Sequence, residues 1–281
     1  MWGKIGRRLV LAVATVALSV THVLAAERTL TVSVGNSVRT FTARELLARK
    51  DVVSITITAD VAYKSRKTYS AVPLLALLGS AAGLTFDTLE VRASDGFVSQ
   101  LPMALIKRAA AGGAVAWVAI EPPGQPWPKV PGKSITAGPF YVVWQAPEKS
   151  GVGPEQWPYA VVAFRGVRSP VQRWPQMIVR GAAGADPAVQ RGMAGFVKHC
   201  LACHKIGGAG EATIGPDLAR PMSPTAYLSE TGLRLLIRNP AAVRTWPKQE
   251  MPAFAVDVLP DRDLDDLIAY LKAVAVSTAN K

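Results

Sequence analysis

The two cysteines of this 281-residue chain lie three positions apart, and a histidine directly follows the second one. The resulting motif, Cys200-Leu201-Ala202-Cys203-His204, has the spacing of a covalent attachment site for c-type haem, in which each thiol adds to one vinyl group of the porphyrin. The adjacent imidazole is then held beneath the iron as an axial ligand. The motif therefore predicts Cys200 and Cys203 as covalent haem-binding residues, His204 as an iron ligand, and single-electron transfer as the chemistry.

Three other interpretations of the motif have weaker support. A structural zinc site needs about four nitrogen or sulfur ligands, but the chain has no third cysteine and only two further histidines, His22 and His199. A thioredoxin-type motif is expected near a βαβ pattern, which the flanking sequence does not show. A plain disulfide would leave His204 without a role. We therefore expect one covalent haem c.

The N-terminus has the features of an export signal. Three basic residues precede the apolar run Leu9–Val20, and Val23-Leu24-Ala25 suits a signal peptidase. The run is shorter than the roughly 20 residues that span a bilayer. We predict a signal peptide at residues 1–25, cleaved near Ala25, a periplasmic mature protein and no stable membrane span after cleavage. An uncleaved anchor and a twin-arginine export route remain open.

Size and charge indicate two different domains. About 256 residues remain after cleavage, enough for two domains of ordinary size. Residues 26–180 carry 18 lysines and arginines against 10 acidic residues, whereas residues 181–281 carry 11 against 10. A periplasmic location argues against nucleic acid as the partner of the basic part. We expect the partner to be a periplasmic redox protein with an acidic docking surface, or anionic head groups; the alternative is scattered, solvated charge.

Small residues mark the predicted domain boundary. Residues 181–186 read Gly-Ala-Ala-Gly-Ala-Asp, a composition typical of a linker. This places an N-terminal domain at residues 27–180 and a haem domain at residues 187–281. We also expect a long loop from Glu121 to Gly138, because that stretch is rich in proline and glycine.

The haem domain shows helical periodicity. Gly192, Phe196 and Cys200 recur every four residues and therefore share one helix face. A second apolar stripe near the C-terminus is formed by Leu264, Leu267, Ile268 and Leu271. A glycine lets another helix approach closely, so we expect the first and last helices to cross at Gly192. His199 is expected to face solvent.

These motifs resemble those of a class I cytochrome c over all of roughly 100 residues. The resemblance rests on the Gly192, Phe196 and Cys-x-x-Cys-His series, on the segment Asp266–Lys272, and on a middle helix at Leu233–Arg238. It implies an all-α fold. It also implies that the Pro216 carbonyl accepts the ring N–H of His204, which would fix the orientation of the imidazole.

The resemblance further implies Met251, 47 residues after His204, as the sixth iron ligand. The alternatives are that Met251 only packs in the core or that Met222 takes its place. With His204 and Met251 both bound, the iron has no vacant position, which favours electron transfer over oxygen chemistry. The sequence thus favours an electron carrier over an enzyme, with no catalytic residues.

The N-terminal part changes to extended patterns. Alternating residues flank Gly35-Asn36, a hairpin signal. Further strands are predicted at Val52–Thr58, Thr88–Ala93, Val115–Ile120, Phe140–Trp144 and Tyr159–Phe164, with an apolar helix at Val72–Ala82. We expect a mixed α+β domain.

Parts of this domain are similar to the molybdopterin-binding fold of sulfite oxidase-like proteins, namely Thr68–Leu78, Ser94–Phe97 and Gly138–Trp144. The resemblance implies a metal-binding cysteine after the strand Val52–Thr58, but the chain has Ala59-Asp60 there and no spare cysteine. We therefore expect the scaffold without a molybdenum cofactor, because fold alone does not carry function. Its expected role is docking of the redox partner.

Three alternatives to a free electron carrier stay open. The chain could be a haem-based sensor, or the haem-bearing subunit of a periplasmic oxidoreductase complex. It could also be an enzyme that binds a pterin or another substrate in the N-terminal domain and passes electrons to the haem.

Overall fold

A computed structural model describes residues 28–79, 86–245 and 249–279, with the side chains of residues 278 and 279 excepted. The predicted signal peptide, residues 1–25, lies outside the described residues. So do Ser80 to Ala82, the end of one predicted helix. Two separate hydrophobic cores divide the described chain. We call the part up to Arg173 the N-terminal region and the part from Trp174 onward the C-terminal region.

The N-terminal region is β-rich and contains two sheets. Its described strands are β1 Thr29–Val34, β2 Ser37–Thr42, β3 Val53–Ile57, β4 Lys67–Pro73, β5 Thr88–Ala93, β6 Val98–Pro102, β7 Val115–Ile120, β8 Phe140–Gln145 and β9 Val161–Val167. One sheet has the order β2-β1-β9-β5-β6, and the other has the order β3-β4-β7-β8. All pairs are antiparallel except β1 with β9.

The predicted hairpin is confirmed. Strands β1 and β2 pair from Thr29↔Thr42 to Val34↔Ser37. Gly35 adopts a φ of 57° in the turn, a left-handed conformation that glycine takes without steric cost. The strands predicted at Val115–Ile120 and Thr88–Ala93 have the observed bounds.

The helix predicted at Val72–Ala82 is partly wrong. Val72 and Pro73 belong to β4, where Val72 pairs with Val118 of β7. The helix α2 occupies only Leu74–Leu78. A continuous apolar run suits a buried strand as well as a helix, so the periodicity could not separate them. The other described helices of this region are α1 Ala43–Leu47, α3 Met103–Lys107 and α4 Pro170–Arg173.

The C-terminal region is helical. Its described helices are α5 Ala182–Ala185, α6 Pro187–His199, α7 Pro224–Tyr227, α8 Glu230–Arg238, α9 Pro240–Val243 and α10 Asp261–Ala279. Helix α6 begins where the Asp186 side chain accepts a hydrogen bond from the Ala188 N–H, with Pro187 at the first helical position. Both features are typical of a helix start. No helix among residues 28–79, 86–245 and 249–279 is long and apolar enough to cross a membrane.

Helices α6 and α10 cross at Gly192, as predicted. A Cβ atom at this position would overlap the Asp266 carbonyl and would lie 2.8 Å from the Tyr270 Cβ. The rings of Phe196 and Tyr270 pack nearby, with their centroids 5.8 Å apart. Arg191 and Asp266 add an ion pair across the same crossing at 2.6 Å. The absence of a side chain at Gly192 therefore sets how closely the two helices approach.

The segment before α6 packs onto the C-terminal core. Met177 and Val179 are buried there, and the Tyr270 hydroxyl donates a hydrogen bond to the Met177 carbonyl at 2.9 Å. Residues 181–186, predicted as a linker, contain the short helix α5. The connection between the two regions is therefore packed against one of them over several residues.

Candidate haem site

The Cys-x-x-Cys-His motif forms a tight turn directly after helix α6. Cys200 is the last residue held by the helix, and its N–H donates to the Phe196 carbonyl at 2.9 Å. The Cys200 carbonyl then accepts from the N–H of Cys203 at 3.1 Å and of His204 at 2.9 Å. The buried face of α6, which includes Phe196, thus leads directly into the motif, and Cys200 packs against the C-terminal core.

The His204 imidazole is held in one orientation. Its Nδ1 lies 2.8 Å from the Pro216 carbonyl oxygen and donates to it, because a carbonyl can only accept. The Gly215 N–H donates to the Cys203 carbonyl at 2.8 Å, and a Cβ atom on Gly215 would overlap the His204 ring. With Nδ1 protonated, Nε2 of the neutral imidazole carries the lone pair that a metal ion needs.

The pKa of His204 favours its neutral imidazole form. Burial lowers the pKa of His204, and the hydrogen bond to Pro216 opposes this only in part. A neutral ring with Nδ1–H engaged is the form that binds a metal through Nε2. The residues present therefore fit an iron ligand at His204.

Both cysteines are free thiols in the structure. Burial raises the pKa of Cys200 well above its usual range, and it raises the pKa of Cys203 to about 12, with the negative charge of Glu155 adding to both shifts. The thiolate is the reactive form of cysteine. Before any haem is attached, burial therefore favours the protonated form of both thiols.

Met251 lies in an irregular segment between α9 and α10 and packs, half-buried, against the C-terminal core. After it, the Phe254 N–H donates to the Ile237 carbonyl at 3.1 Å. The Arg238 guanidinium donates to the carbonyls of Phe254 and Leu259 at 2.9 and 2.6 Å. The rival ligand Met222 is 57% exposed. Of the two methionines, Met251 is the one packed on the core that carries the cysteine motif.

The expectation that His199 faces solvent is wrong. His199 is 6% exposed, its Nδ1 lies 3.0 Å from the Glu155 carboxylate, and its ring packs edge-on against Phe254 at 6.0 Å. A signal was present in the sequence, since His199 follows Phe196 by three positions and shares its helix face. The reason for the burial is Glu155, which belongs to the N-terminal region.

The N-terminal region contacts the haem-attachment turn itself. The Val98 N–H, at the start of β6, donates to the Ala202 carbonyl between the two cysteines at 3.0 Å. The Thr213 N–H donates to the Gly96 carbonyl at 3.3 Å. The β5–β6 hairpin thus binds both the attachment turn and the loop before Gly215. Sequence reasoning did not predict these backbone contacts, which have no side-chain pattern.

An ion network joins the two regions beside this contact. Glu90 of β5 is fully buried, and Arg173 bonds it at 2.6 Å while also bonding Glu211 of the C-terminal region at 2.5 Å. Arg92 lies 2.8 Å from Glu90. Burial raises the pKa of Glu90, but the hydrogen bonds from Arg173 and Arg92 outweigh it and leave the pKa lowered. Glu90 is therefore a buried, ionised and paired carboxylate.

Asp60 stands where the sulfite oxidase-like resemblance implies a metal-binding cysteine. It is buried, and it accepts hydrogen bonds from the Tyr69 hydroxyl and the Tyr63 N–H, both at 2.8 Å. The Tyr141 hydroxyl lies 3.4 Å away. The carboxylate oxygens thus serve internal hydrogen bonds of the N-terminal core.

Comparison with known proteins supports the interpretation of the C-terminal region. Residues 189–275 match the family model for cytochrome c. The match supports a C-terminal c-type cytochrome domain, and such a domain implies covalently bound haem c and a haem-based electron carrier. No curated protein matches the chain.

Proposed function

We propose that the protein is a periplasmic monohaem c-type cytochrome that carries single electrons to or from a redox partner. The observation that carries the proposal is the orientation of His204, whose Nδ1 is engaged by Pro216 so that Nε2 is left for a metal. This imidazole follows the two thiols in the region that matches cytochrome c. Under this proposal these residues bind the haem and carry electrons.

In the proposed site, Cys200 and Cys203 would form the thioether bonds, and His204 and Met251 would bind the iron. Bound haem supplies a reversible one-electron couple, and a thioether ligand raises its potential. Burial lowers the pKa of His204 and so favours the neutral imidazole, while Pro216 and Gly215 fix its orientation. Because two side chains would bind the iron, the site favours electron transfer over chemistry at the metal.

The proposed role of the N-terminal region is docking of the partner. Its excess of basic residues fits an acidic protein surface and would steer association by a salt-sensitive field. Export to the periplasm rests on the sequence of residues 1–25.

We also propose that this region keeps a sulfite oxidase-like scaffold without molybdenum. The support is the internal use of Asp60 by Tyr69 and Tyr63, which gives this carboxylate a structural role in the core. Molybdenum in stoichiometric amount, in protein purified from its native host, would instead favour the enzyme alternative.

Expression with and without the cellular haem-attachment machinery tests the function. With it, we expect a mass increase of one covalent haem and a low-spin reduced-minus-oxidised spectrum of c type. Replacing Met251 by Ala should open the sixth position and change the ferric spectrum, whereas Met222→Ala should not. A colourless mature protein would refute the proposal, and an unchanged Met251→Ala spectrum would refute the ligand.

A further inference from the structure

The loop from Glu121 to Gly138 presents one lysine in a fixed position. The Val130 N–H donates to the Ile135 carbonyl, and the Lys133 N–H donates back to the Val130 carbonyl, both at 2.9 Å. Gly132 turns the chain between them with a φ of 77°. The predicted loop is thus closed into a hydrogen-bonded turn with Lys133 at its tip.

This turn is anchored to the N-terminal core. The side chain of Val130 is buried. The Tyr63 hydroxyl donates to the Pro128 carbonyl at 2.9 Å and accepts from the Ala137 N–H at 3.1 Å, so it ties the two ends of the turn together. Lys133 therefore projects from a supported backbone.

Lys133 reaches across to the C-terminal region. Its Nζ lies 2.6 Å from the Glu250 carboxylate, 117 residues further along the chain, and 5.7 Å from the ring centroid of Tyr159. Partial burial by itself would lower the pKa of Lys133, but its hydrogen bonds to Glu250 and Tyr159 raise the pKa above the usual range. The ammonium group is therefore charged at neutral pH.

Glu250 directly precedes Met251, so the Met251 segment is held on both sides by different regions. After Met251, Arg238 of α8 binds the carbonyls of Phe254 and Leu259. Before it, the contact comes from Lys133 of the N-terminal region. The position of the methionine thus depends on both regions of the chain.

We propose that Lys133 is a positioning residue for Met251, and that the N-terminal region controls through the Lys133–Glu250 ion pair how firmly the sixth ligand is held. The inference rests on the proposed function, since it takes Met251 as that ligand. It gives the N-terminal region a role within the chain besides docking. The side chains of the pair are 33% and 49% exposed, so the effect is modest: exposed ion pairs shift equilibria by about fivefold or less.

The test uses the full-length, haem-loaded protein and an added ligand that must displace Met251 from ferric iron. Imidazole is titrated spectroscopically, and its apparent affinity reports how readily the methionine leaves. Lys133→Met and Glu250→Gln should each raise this affinity about two- to fivefold. Lys129→Met, which removes an exposed lysine of the same loop, should leave it unchanged.

A double variant shows whether Lys133 and Glu250 act together on Met251 or whether each substitution only perturbs the fold. The double variant Lys133→Met/Glu250→Gln should bind imidazole no more tightly than either single variant, and Lys133→Arg should retain the wild-type affinity. If Lys133→Met folds poorly, the imidazole affinity of Glu250→Gln alone tests the inference. Equal affinities in wild type, Lys133→Met and Glu250→Gln would overturn the inference.

One further variant tests Met251 itself, so that a wrong ligand assignment can be distinguished from a wrong inference about Lys133. Met251→Ala should raise the imidazole affinity far more than the Lys133 variants. Wild-type affinity in Met251→Ala would show that Met251 is not the ligand; it would end this inference but not the proposed haem attachment, which only a colourless protein would refute. A large increase in Met251→Ala with none in Lys133→Met would end only the inference about Lys133.

Discussion

Gly192 of α6 lies so close to the Asp266 carbonyl of α10 that no β-carbon fits between the two helices. The Phe196 and Tyr270 rings and the Arg191–Asp266 ion pair pack around the same point. Because Gly192 has a hydrogen atom in place of a side chain, helix α6, which leads into the cysteine motif, can pack directly against α10.

Replacing Gly192 by Ala should destabilise the C-terminal region by about 1–3 kcal/mol, since the new methyl group forces the packed helices apart. Urea unfolding followed by circular dichroism measures the change. Gly195→Ala is the matched control in the same helix, because its β-carbon would have no neighbour within 4 Å. Alanine there should be neutral or stabilising by up to about 1 kcal/mol. Equal stabilities for the two variants would contradict the close crossing.

Replacing Gly215 by Ala should disturb the proximal side of the haem site. The added methyl group would overlap the His204 ring, so the ring must move and weaken its hydrogen bond to Pro216. We expect an altered low-spin spectrum and a shifted midpoint potential, measured by redox titration followed by visible spectroscopy. Spectra identical to wild type would show that the imidazole is not held by this contact.

The buried His199–Glu155 pair should contribute to the contact between the two regions. Removing one partner leaves the other buried without its hydrogen bond, which costs about 1–3 kcal/mol. We therefore expect both His199→Leu and Glu155→Leu to lower the free energy of unfolding, and the double variant to lose less than the sum of the two. Strict additivity would mean that the pair is not coupled.

Acid should weaken the contact between the regions through Glu90. Its pKa is lowered in the folded protein, so its contribution to stability is fully present above the unfolded value of about 4.3. The contribution disappears as the pH falls through the lower, folded value. Glu90→Gln should flatten the pH dependence of unfolding free energy below about pH 4.5. Glu148→Gln, which changes an exposed carboxylate, should leave that dependence intact.

Local patterns allowed much of this fold to be predicted. The four-residue spacing of Gly192, Phe196 and Cys200 predicted α6 and its crossing with α10, because helix packing follows directly from which face is apolar. The Gly35-Asn36 turn likewise predicted the β1–β2 pairing, since only a few residue types suit such a turn.

Contacts between distant segments escaped prediction for a physical reason. His199 follows the helical pattern, yet its burial depends on Glu155, 44 residues away. The partner of Lys133 lies still further along the chain, and a charged residue in a proline-rich loop carries no local mark of its partner. The β6 strand, Val98–Pro102, was missed because its role comes from pairing with β5 rather than from its own alternation.

The hydrogen bond from Val98 to Ala202 has a consequence for biogenesis. It occupies the Ala202 carbonyl between the two cysteines, so the β5–β6 hairpin covers this stretch whenever the two regions are in contact. If haem is attached to Cys200 and Cys203 as proposed, a chain whose hairpin has not yet closed on this stretch would be the better substrate for attachment.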